Sequence, residues 1–436
     1  MKVKKYESWG RYPQAKHTQI VAIKGPDVTI PSERYPRPVL AFGQGRSYGD
    51  SCLNDGGILL DTESLSKIIS FDKKRGLLRC EAGTTLAEIL KLIVPRGWFL
   101  PVTPGTKYVS VGGAIANDIH GKNHHRAGSF GCFVTQFELL RSSGERVICS
   151  PTQNVELYRA TIGGLGLTGL ILWAEFQLKP VASPLIAFER IPFTNLEEFY
   201  SLSADSDKDY EYTVAWLDSG SWGRGIFLRG NSAGHDLTDG KTRGQGPMVS
   251  LPFHAPNWLL NAFTSKTMNE FYYYLQSRGP KSGLLHYEPF FYPLDAVLNW
   301  NRIYGKRGFF QYQCVIPFER REAIDEILNR TERAGEPAVL AVLKTFGDVK
   351  SPGMLSFPRP GVTLAVDFPN RGERTLRLLE ELDEVTRSAR GAVYPAKDAR
   401  MSAKSFQTYF PEWRAFQRFV DPRFSSSFWR RVARPE

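Results

Sequence analysis

The chain has 436 residues, 42% of them hydrophobic and 13% aromatic, and carries a formal net charge of +11. That length buries a sizeable core and predicts two domains, and the balanced composition is that of an ordinary globular protein. No run of about 18 apolar residues occurs, so no transmembrane helix is expected, and the N-terminal lysines have no apolar stretch behind them as a secretory signal would. The five cysteines (Cys52, Cys80, Cys132, Cys149 and Cys314) are odd in number and unpatterned. Reduced thiols in a cytoplasmic protein are expected from them, and no metal site. The positive charge favours partners that carry phosphate. Basic residues are dispersed and no nucleic-acid module is present, so nucleic acid is not an expected partner.

In chain order, 1–35 reads as an extended lead-in with Pro13, Pro26 and Pro31. Strand-like runs follow at 38–42, 57–61 and 77–82. The first runs into Ala41-Phe-Gly-Gln-Gly-Arg-Ser-Tyr-Gly-Asp50, whose successive backbone N–H groups and Arg46 suit an anion. It is not the dinucleotide fingerprint, because its third glycine comes one residue late and no helix pattern follows. Leu86, Ile89, Leu90 and Ile93 then fall at helical spacing behind a Thr85–Glu88 capping box, which predicts a helix over 84–96.

The stretch 105–130 organises the rest. It has no helical period, carries glycines at 105, 112, 113, 121 and 128, and gathers Asn117, Asp118, His120, Lys122, Asn123, His124 and His125. Its apolar run from Val109 to Ile119 marks it as buried, and buried polar groups need partners. A large polar cofactor would supply them. A hairpin over 133–149 and a helix over 154–161 come next. The formal Gly-x-Gly-x-x-Gly at Gly164–Gly169 opens into the strand-like 170–178 and is therefore no Rossmann site. Residues 1–183 thus read as an α+β cofactor domain.

A second unit runs from 184 to 391. Helix 195–203 and strand 212–217, with Trp216, precede a stretch with eight glycines, 220–247, that reads as a long mobile loop. From Phe253 to Phe291 aromatics alternate with basic residues. This segment is either a packed aromatic core or a surface that meets membrane or lipid. Strand 308–316 places Gln311 and Gln313 on one face, and strand 337–346 does the same for Lys344 and Phe346. With helix 320–334, strand 360–368 and helix 372–390, the unit predicts an antiparallel sheet backed by helices, a substrate cap.

Six pieces then occur in order: GQGRSYGD (43–50), PGTKYVSVGGAIANDIHGKNHH (104–125), GGLGLTG (163–169), QYQ (311–313), LSFPRPG to VDFP (355–369) and YPAKD (394–398). On these the sequence is identified as a member of the vanillyl-alcohol-oxidase type of FAD-binding oxidoreductases. Within that family it resembles the flavin subunit of the decaprenylphosphoryl-β-D-ribose oxidases.

The resemblance implies a PCMH-type, two-subdomain FAD domain to which residues 392–436 return. It places FAD against Ala41, Phe42, Gly43, Gln44, Gly45, Arg46, Ser47, Tyr48, Gly49, Asp50 and Ser51. The second side of the cradle would be Gly105, Ser110, Val111, Gly112, Gly113, Asn117, Asp118, Ile119 and His120, completed by Ile171, Leu172 and Tyr394. Many relatives tether the flavin through a histidine where this chain has Arg46, so non-covalent FAD is expected. Lys397 is the expected catalytic residue, stabilising reduced flavin and handling a proton. Tyr48 and His120 are further candidates for holding or taking the hydroxyl proton. Gln311, Gln313, Lys344, Phe346, Thr363, Ala365 and Lys397 would line the sugar pocket, with Trp216 and Tyr292 at its mouth. Thr363 and Ala365 depart from the Asn and Cys of the polyprenyl-ribose oxidases, so inhibitors that bond to that cysteine should not bond here.

The implied reaction is oxidation of a secondary hydroxyl on a polyprenyl-phosphate-linked pentose. The keto sugar would pass to a separate NAD(P)H-dependent short-chain reductase, giving net epimerisation toward the arabinose of cell-wall arabinan. The protein would sit peripherally on the inner face of the membrane. An alditol or aldonolactone oxidase using oxygen is the alternative within the family, and a basic binding protein without redox chemistry the alternative outside it.

Overall fold

The computed structural model describes residues 5–25, 28, 30, 37–234, 249–256, 258–336 and 338–433. Pro26, Pro31 and the second half of the glycine-rich 220–247 stretch lie outside them. Among the described residues the strands form three main sheets. A small parallel sheet has the order Gln19–Ala22, Ile58–Asp61, Val39–Phe42. Its central strand is wholly buried, as parallel strands covered on both faces are. Part of the presumed lead-in is therefore a strand.

A five-stranded antiparallel sheet follows, in the order Ile68–Asp72, Leu77–Glu81, Leu170–Gln177, Val134–Leu140, Arg146–Cys149. Helix Leu86–Ile93 packs its Leu86, Ile89, Leu90 and Ile93 into the core with the five-stranded sheet. Thr85 caps it through the reciprocal bond with Glu88, as the spacing predicts.

The eight-stranded antiparallel sheet has the order Ser282–His286, Leu185–Phe193, Gly225–Ser232, Tyr212–Leu217, Ala341–Phe346, Gly361–Pro369, Phe309–Ile316, Ala392–Val393. Its register pairs Gln311 with Asp367, Gln313 with Ala365 and Lys344 with Thr363, so these six side chains share one face. On the other face Tyr312, Cys314, Leu364 and Val366 pack in one core with the inner residues of helices Glu322–Ala334 and Glu373–Ser388. The expected sheet backed by helices is what forms.

Three expectations change. The 105–130 stretch is not free of helix, since Val111–Ala116 and His124–Ala127 are single helical turns too short to show a period. The 220–247 stretch opens with a paired strand, not a loop. Its glycines mark close approach, because a Cβ at Gly225 would lie 2.2 Å from the Trp216 carbonyl oxygen and one at Gly230 would lie 2.8 Å from that of Ala187. The aromatic segment divides: Tyr287, Phe290 and Phe291 are buried, whereas Phe253, Trp258, Phe263 and Phe271 are each more than 60% exposed.

After Ala392–Val393 the chain crosses back toward the N-terminal sheets. Tyr394 N donates to Gln313 O at 2.9 Å, and Ser427 N donates to Leu53 O at 2.7 Å. Helix Ser427–Val432 then rests against the 50–52 turn, where Arg431 pairs with Asp50 at 2.6 Å and with Asp398 at 3.1 Å.

Candidate active site

The two glycine-rich loops and the polar face of the large sheet enclose one cavity of about 1250 Å³. That exceeds the roughly 300–1,000 Å³ that holds a single drug-sized ligand. The loops meet at Gly43, where a Cβ would lie 2.5 Å from Ser110 Oγ, so only glycine lets them close. Ser110 caps the Val111–Ala116 turn, its hydroxyl accepting from Gly113 N, and Ser110, Gly112 and Gly113 line the cavity.

Ala41, Gly43, Gln44, Gly45, Arg46, Ser47, Tyr48 and Ser51 line one side of this space. Gly105, Ser110, Gly112, Gly113, Asn117, Ile119 and His120 line the second, and Ile171 and Tyr394 lie between. Trp216, Gln311, Gln313, Lys344, Thr363, Ala365 and Lys397 complete the wall from the large sheet and the returning chain. Tyr394 is fixed by its hydroxyl, which donates to Asn117 O at 2.8 Å, and by stacking on Phe357.

Eight expected residues stand off the wall, each for a visible reason. Phe42 points the opposite way from Ala41 along its strand and packs with Leu40 and Leu59. Gly49 is pressed against the returning chain, where a Cβ would lie 1.7 Å from Asp398 O. Asp50 is taken by Arg431. Val111 and Leu172 are fully buried core. Asp118 accepts from Ser351 Oγ, Ser356 Oγ and Gly131 N, holding the second loop to the 351–356 turn. Phe346 backs the His120 and His124 rings at 4.9 and 4.4 Å. Tyr292 is not at the mouth; it is fully buried, with its hydroxyl 2.6 Å from Thr103 Oγ1.

Within the wall a polar chain runs through the sheet. Gln313 Nε2 lies 3.0 Å from His120 Nε2 and 3.3 Å from Thr363 Oγ1. With Nε2 accepting from the amide, the His120 proton sits on Nδ1, which is buried without a partner. Burial, then the charges of Lys344, His124 and Lys397, push the His120 pKa well below the ordinary value and keep the ring neutral. One register step away Gln311 Nε2 donates to Asp367 Oδ1 at 2.5 Å, and Tyr304 donates to Oδ2 at 3.2 Å.

Lys397 and Asp398 part company. The Asp398 carboxylate accepts from Met401 N and Arg431, while the Lys397 ammonium turns inward, 3.6 Å from the centre of the Tyr48 ring. Burial pushes the Lys397 pKa down to about 7, opposed by the charge of Asp367. Burial pushes Asp367 up to about 7, opposed by its bond from Gln311 and by Lys397. Tyr48, raised well above its usual value by burial and then by Asp367, keeps its proton.

The motif reading missed Asp367 and Tyr304. Asp367 continues the two-residue alternation that singled out Thr363 and Ala365, so its signal was present. Tyr304 lies in a single turn of 3₁₀ helix and had none.

The donor set fits a dinucleotide flavin. Ser51 Oγ and His120 Nδ1 are buried polar atoms without partners on the cavity wall, and the wall at Gly105 has open space where a Cβ would point. A model of the FAD binding domain matches residues 32–150. Decaprenylphosphoryl-β-D-ribose oxidase of Mycolicibacterium smegmatis is 36% identical to this chain, over 98% of the chain and 97% of the relative. The chain belongs to that family of FAD-binding oxidases. It is an oxidoreductase acting on CH–OH groups, with FAD as its cofactor. An uncharacterized protein of Streptomyces coelicolor is 31% identical over 80% of this oxidase and 99% of the relative. A putative D-arabinono-1,4-lactone oxidase of Neurospora crassa is 30% identical over only 34% of this oxidase and 26% of the relative.

Proposed function

We propose that this oxidase removes hydride from the C2 carbon, and the proton from its hydroxyl, of a polyprenyl-phosphate-linked pentose, giving the 2-keto sugar. The observation that carries the reading is the make-up of the cavity beyond the glycine loops. Paired amides, a neutral imidazole and a deprotonatable lysine stand together, and the same cavity extends to Leu251, Met268, Tyr272 and Leu285 beside an exposed apolar face.

FAD, when bound, supplies the hydride acceptor. The chain's part is to hold the sugar and receive the proton. Gln311 and Gln313 present amides to sugar hydroxyls, and His120 Nδ1–H donates into the chamber. Lys397 in its neutral form takes the hydroxyl proton, and the ammonium so formed would offset the negative charge of a reduced flavin held by the loops. Tyr48, held protonated, orients the Lys397 head through its ring. The carboxylate of Asp367 lets Lys397 hold a proton at a pH where burial alone would strip it.

FAD is bound without a covalent link, because Arg46 occupies the position of the histidine that tethers it in many relatives. Acid precipitation should leave the flavin in the supernatant; yellow protein in the pellet would refute this. The functional units are 1–183, 184–391 and the returning 392–436. The keto product goes to a separate NAD(P)H-dependent reductase, and the exposed Phe253, Trp258, Phe263 and Phe271 rest on the membrane that holds the lipid. Among the described residues no helix is long and apolar enough to cross a membrane.

Anaerobic mixing with farnesylphosphoryl-β-D-ribose should bleach the bound flavin. Bleaching by free arabinono-lactone or alditols instead, with peroxide formed in air, would replace the reading by the alditol-oxidase alternative.

A further inference from the structure

The ionisable groups on the cavity wall are unequal in sign. Among the described residues Arg46, Lys122, Arg190, Lys344 and Lys397 line it, against the one carboxylate of Asp295. Arg46 donates to Tyr108 O at 3.2 Å, lies over Trp9 and feels Asp295, all at the glycine-loop end. Lys397 is balanced by Asp367. Lys122 and Lys344 have no such balance. Among the described residues no carboxylate acts on either side chain, and Lys344 is opposed by the charges of Lys122 and Lys397. Among the described residues Lys122 Nζ meets Phe291 O at 3.5 Å and the faces of Phe290 and Phe291, and Lys344 Nζ stands 5.7 Å from the Phe346 ring centre.

The fold holds these two lysines together deliberately. Thr213 N donates to Lys122 O at 2.9 Å, which ties the second glycine-rich loop to strand Tyr212–Leu217. That strand pairs with Ala341–Phe346 at Ala215 and Leu343, next to Lys344. Lys344 in turn lies opposite Thr363, which accepts from Gln313. The pair is therefore one strand from the amide and imidazole assigned to the sugar.

Burying two lysines without a counter-charge disfavours their ammonium forms, and burial lowers the pKa of Lys122 to about 8 and that of Lys344 to about 7. Sugar hydroxyls do not offset it, since amides bind them as well without charge. An anion does. In a pentose joined to lipid phosphate at C1, the phosphorus is separated from C2 only by C1 and the bridging oxygen. Its seat must therefore lie inside the reaction chamber and not at the mouth. We propose that Lys122 and Lys344 together form the seat of the substrate's phosphodiester and so fix which hydroxyl faces the flavin. This rests on the reading of the substrate as a lipid-phosphate-linked sugar.

The test uses the flavin-loaded enzyme titrated with farnesyl phosphate, farnesol and inorganic phosphate, read by perturbation of the flavin spectrum and by calorimetry. Wild type should bind farnesyl phosphate at least about tenfold more tightly than farnesol, and Lys344→Met or Lys122→Met should each weaken farnesyl phosphate by about tenfold, the scale of one charged hydrogen bond. The double variant should no longer distinguish farnesyl phosphate from farnesol. Lys344→Gln replaces Lys344→Met if the latter loses its flavin. Variants that keep the full preference for farnesyl phosphate would overturn the proposal. So would inorganic phosphate binding as tightly as farnesyl phosphate, which would mark a free-phosphate site. Failure of the substrate reading is seen separately, as flavin that farnesylphosphoryl-ribose does not bleach although farnesyl phosphate binds with the expected lysine dependence.

Discussion

Lys397 is a buried lysine whose pKa burial lowers, and the pKa of its only described counter-charge, Asp367, is raised by the same burial. Lys397→Met should keep bound flavin, seen in the visible spectrum, and lower the rate of anaerobic flavin reduction by about 10²–10⁴-fold, the span of one acid–base group. Asp367→Asn tests the partner. The Asp367 charge raises the Lys397 pKa, so its removal lets burial lower that pKa further. If neutral Lys397 takes the proton, activity rises with pH through its pKa, and the rising limb should move to lower pH in Asp367→Asn. An unmoved limb would mean that Asp367 only holds Gln311. At this scale the sequence was informative where motif and alternation agreed. Gln311, Gln313 and Thr363 follow a two-residue period, and a strand can present them in no other way. It was silent on Tyr292, because nothing local tells a buried tyrosine bonded to Thr103 from one at a rim.

Elements explain why the first glycine loop and Lys397 act as one piece. The loop passes so close to the returning chain that a Cβ at Gly49 would overlap Asp398 O, and Tyr48 N donates to Ala396 O at 2.9 Å. Gly49→Ala forces these backbones apart. It should cost about 1–3 kcal/mol, as overpacking does, and release FAD more readily, measured by thermal unfolding with flavin fluorescence as the reporter. Strand and helix positions were legible wherever burial imposes a period, as in Leu86–Ile93 and Phe309–Ile316. They were not legible where glycine serves contact between strands. Gly225 and Gly230 read as looseness in the sequence and are tight crossings in the fold.

On the scale of the whole molecule the apolar exposure is concentrated. Val249, Phe253, Trp258, Leu259, Phe263, Met268, Phe271, Tyr272, Tyr274 and Leu275 are all exposed, and Met268 and Tyr272 also line the cavity. So large an exposed apolar surface calls for a partner. The wild-type enzyme should sediment with phosphatidylglycerol vesicles. Trp258→Ser with Phe263→Ser should reduce that binding by at least about tenfold, given about 1.5–3 kcal/mol for each large side chain buried. Equal sedimentation of wild type and variant would remove the membrane from the account. Composition alone left this segment open between core and surface, because one run of sequence supplies both.

The order in which the chain is made has a consequence for assembly. Residues 41–51 leave the ribosome early, yet Gly49 and Tyr48 are backed by Ala396 and Asp398, and Asp50 by Arg431. The outer side of this glycine loop therefore stays open until residues 396–431 have emerged. Cofactor capture by this loop would require the returning segment, and a ribosome-stalled product ending before residue 391 should be colourless in the presence of FAD.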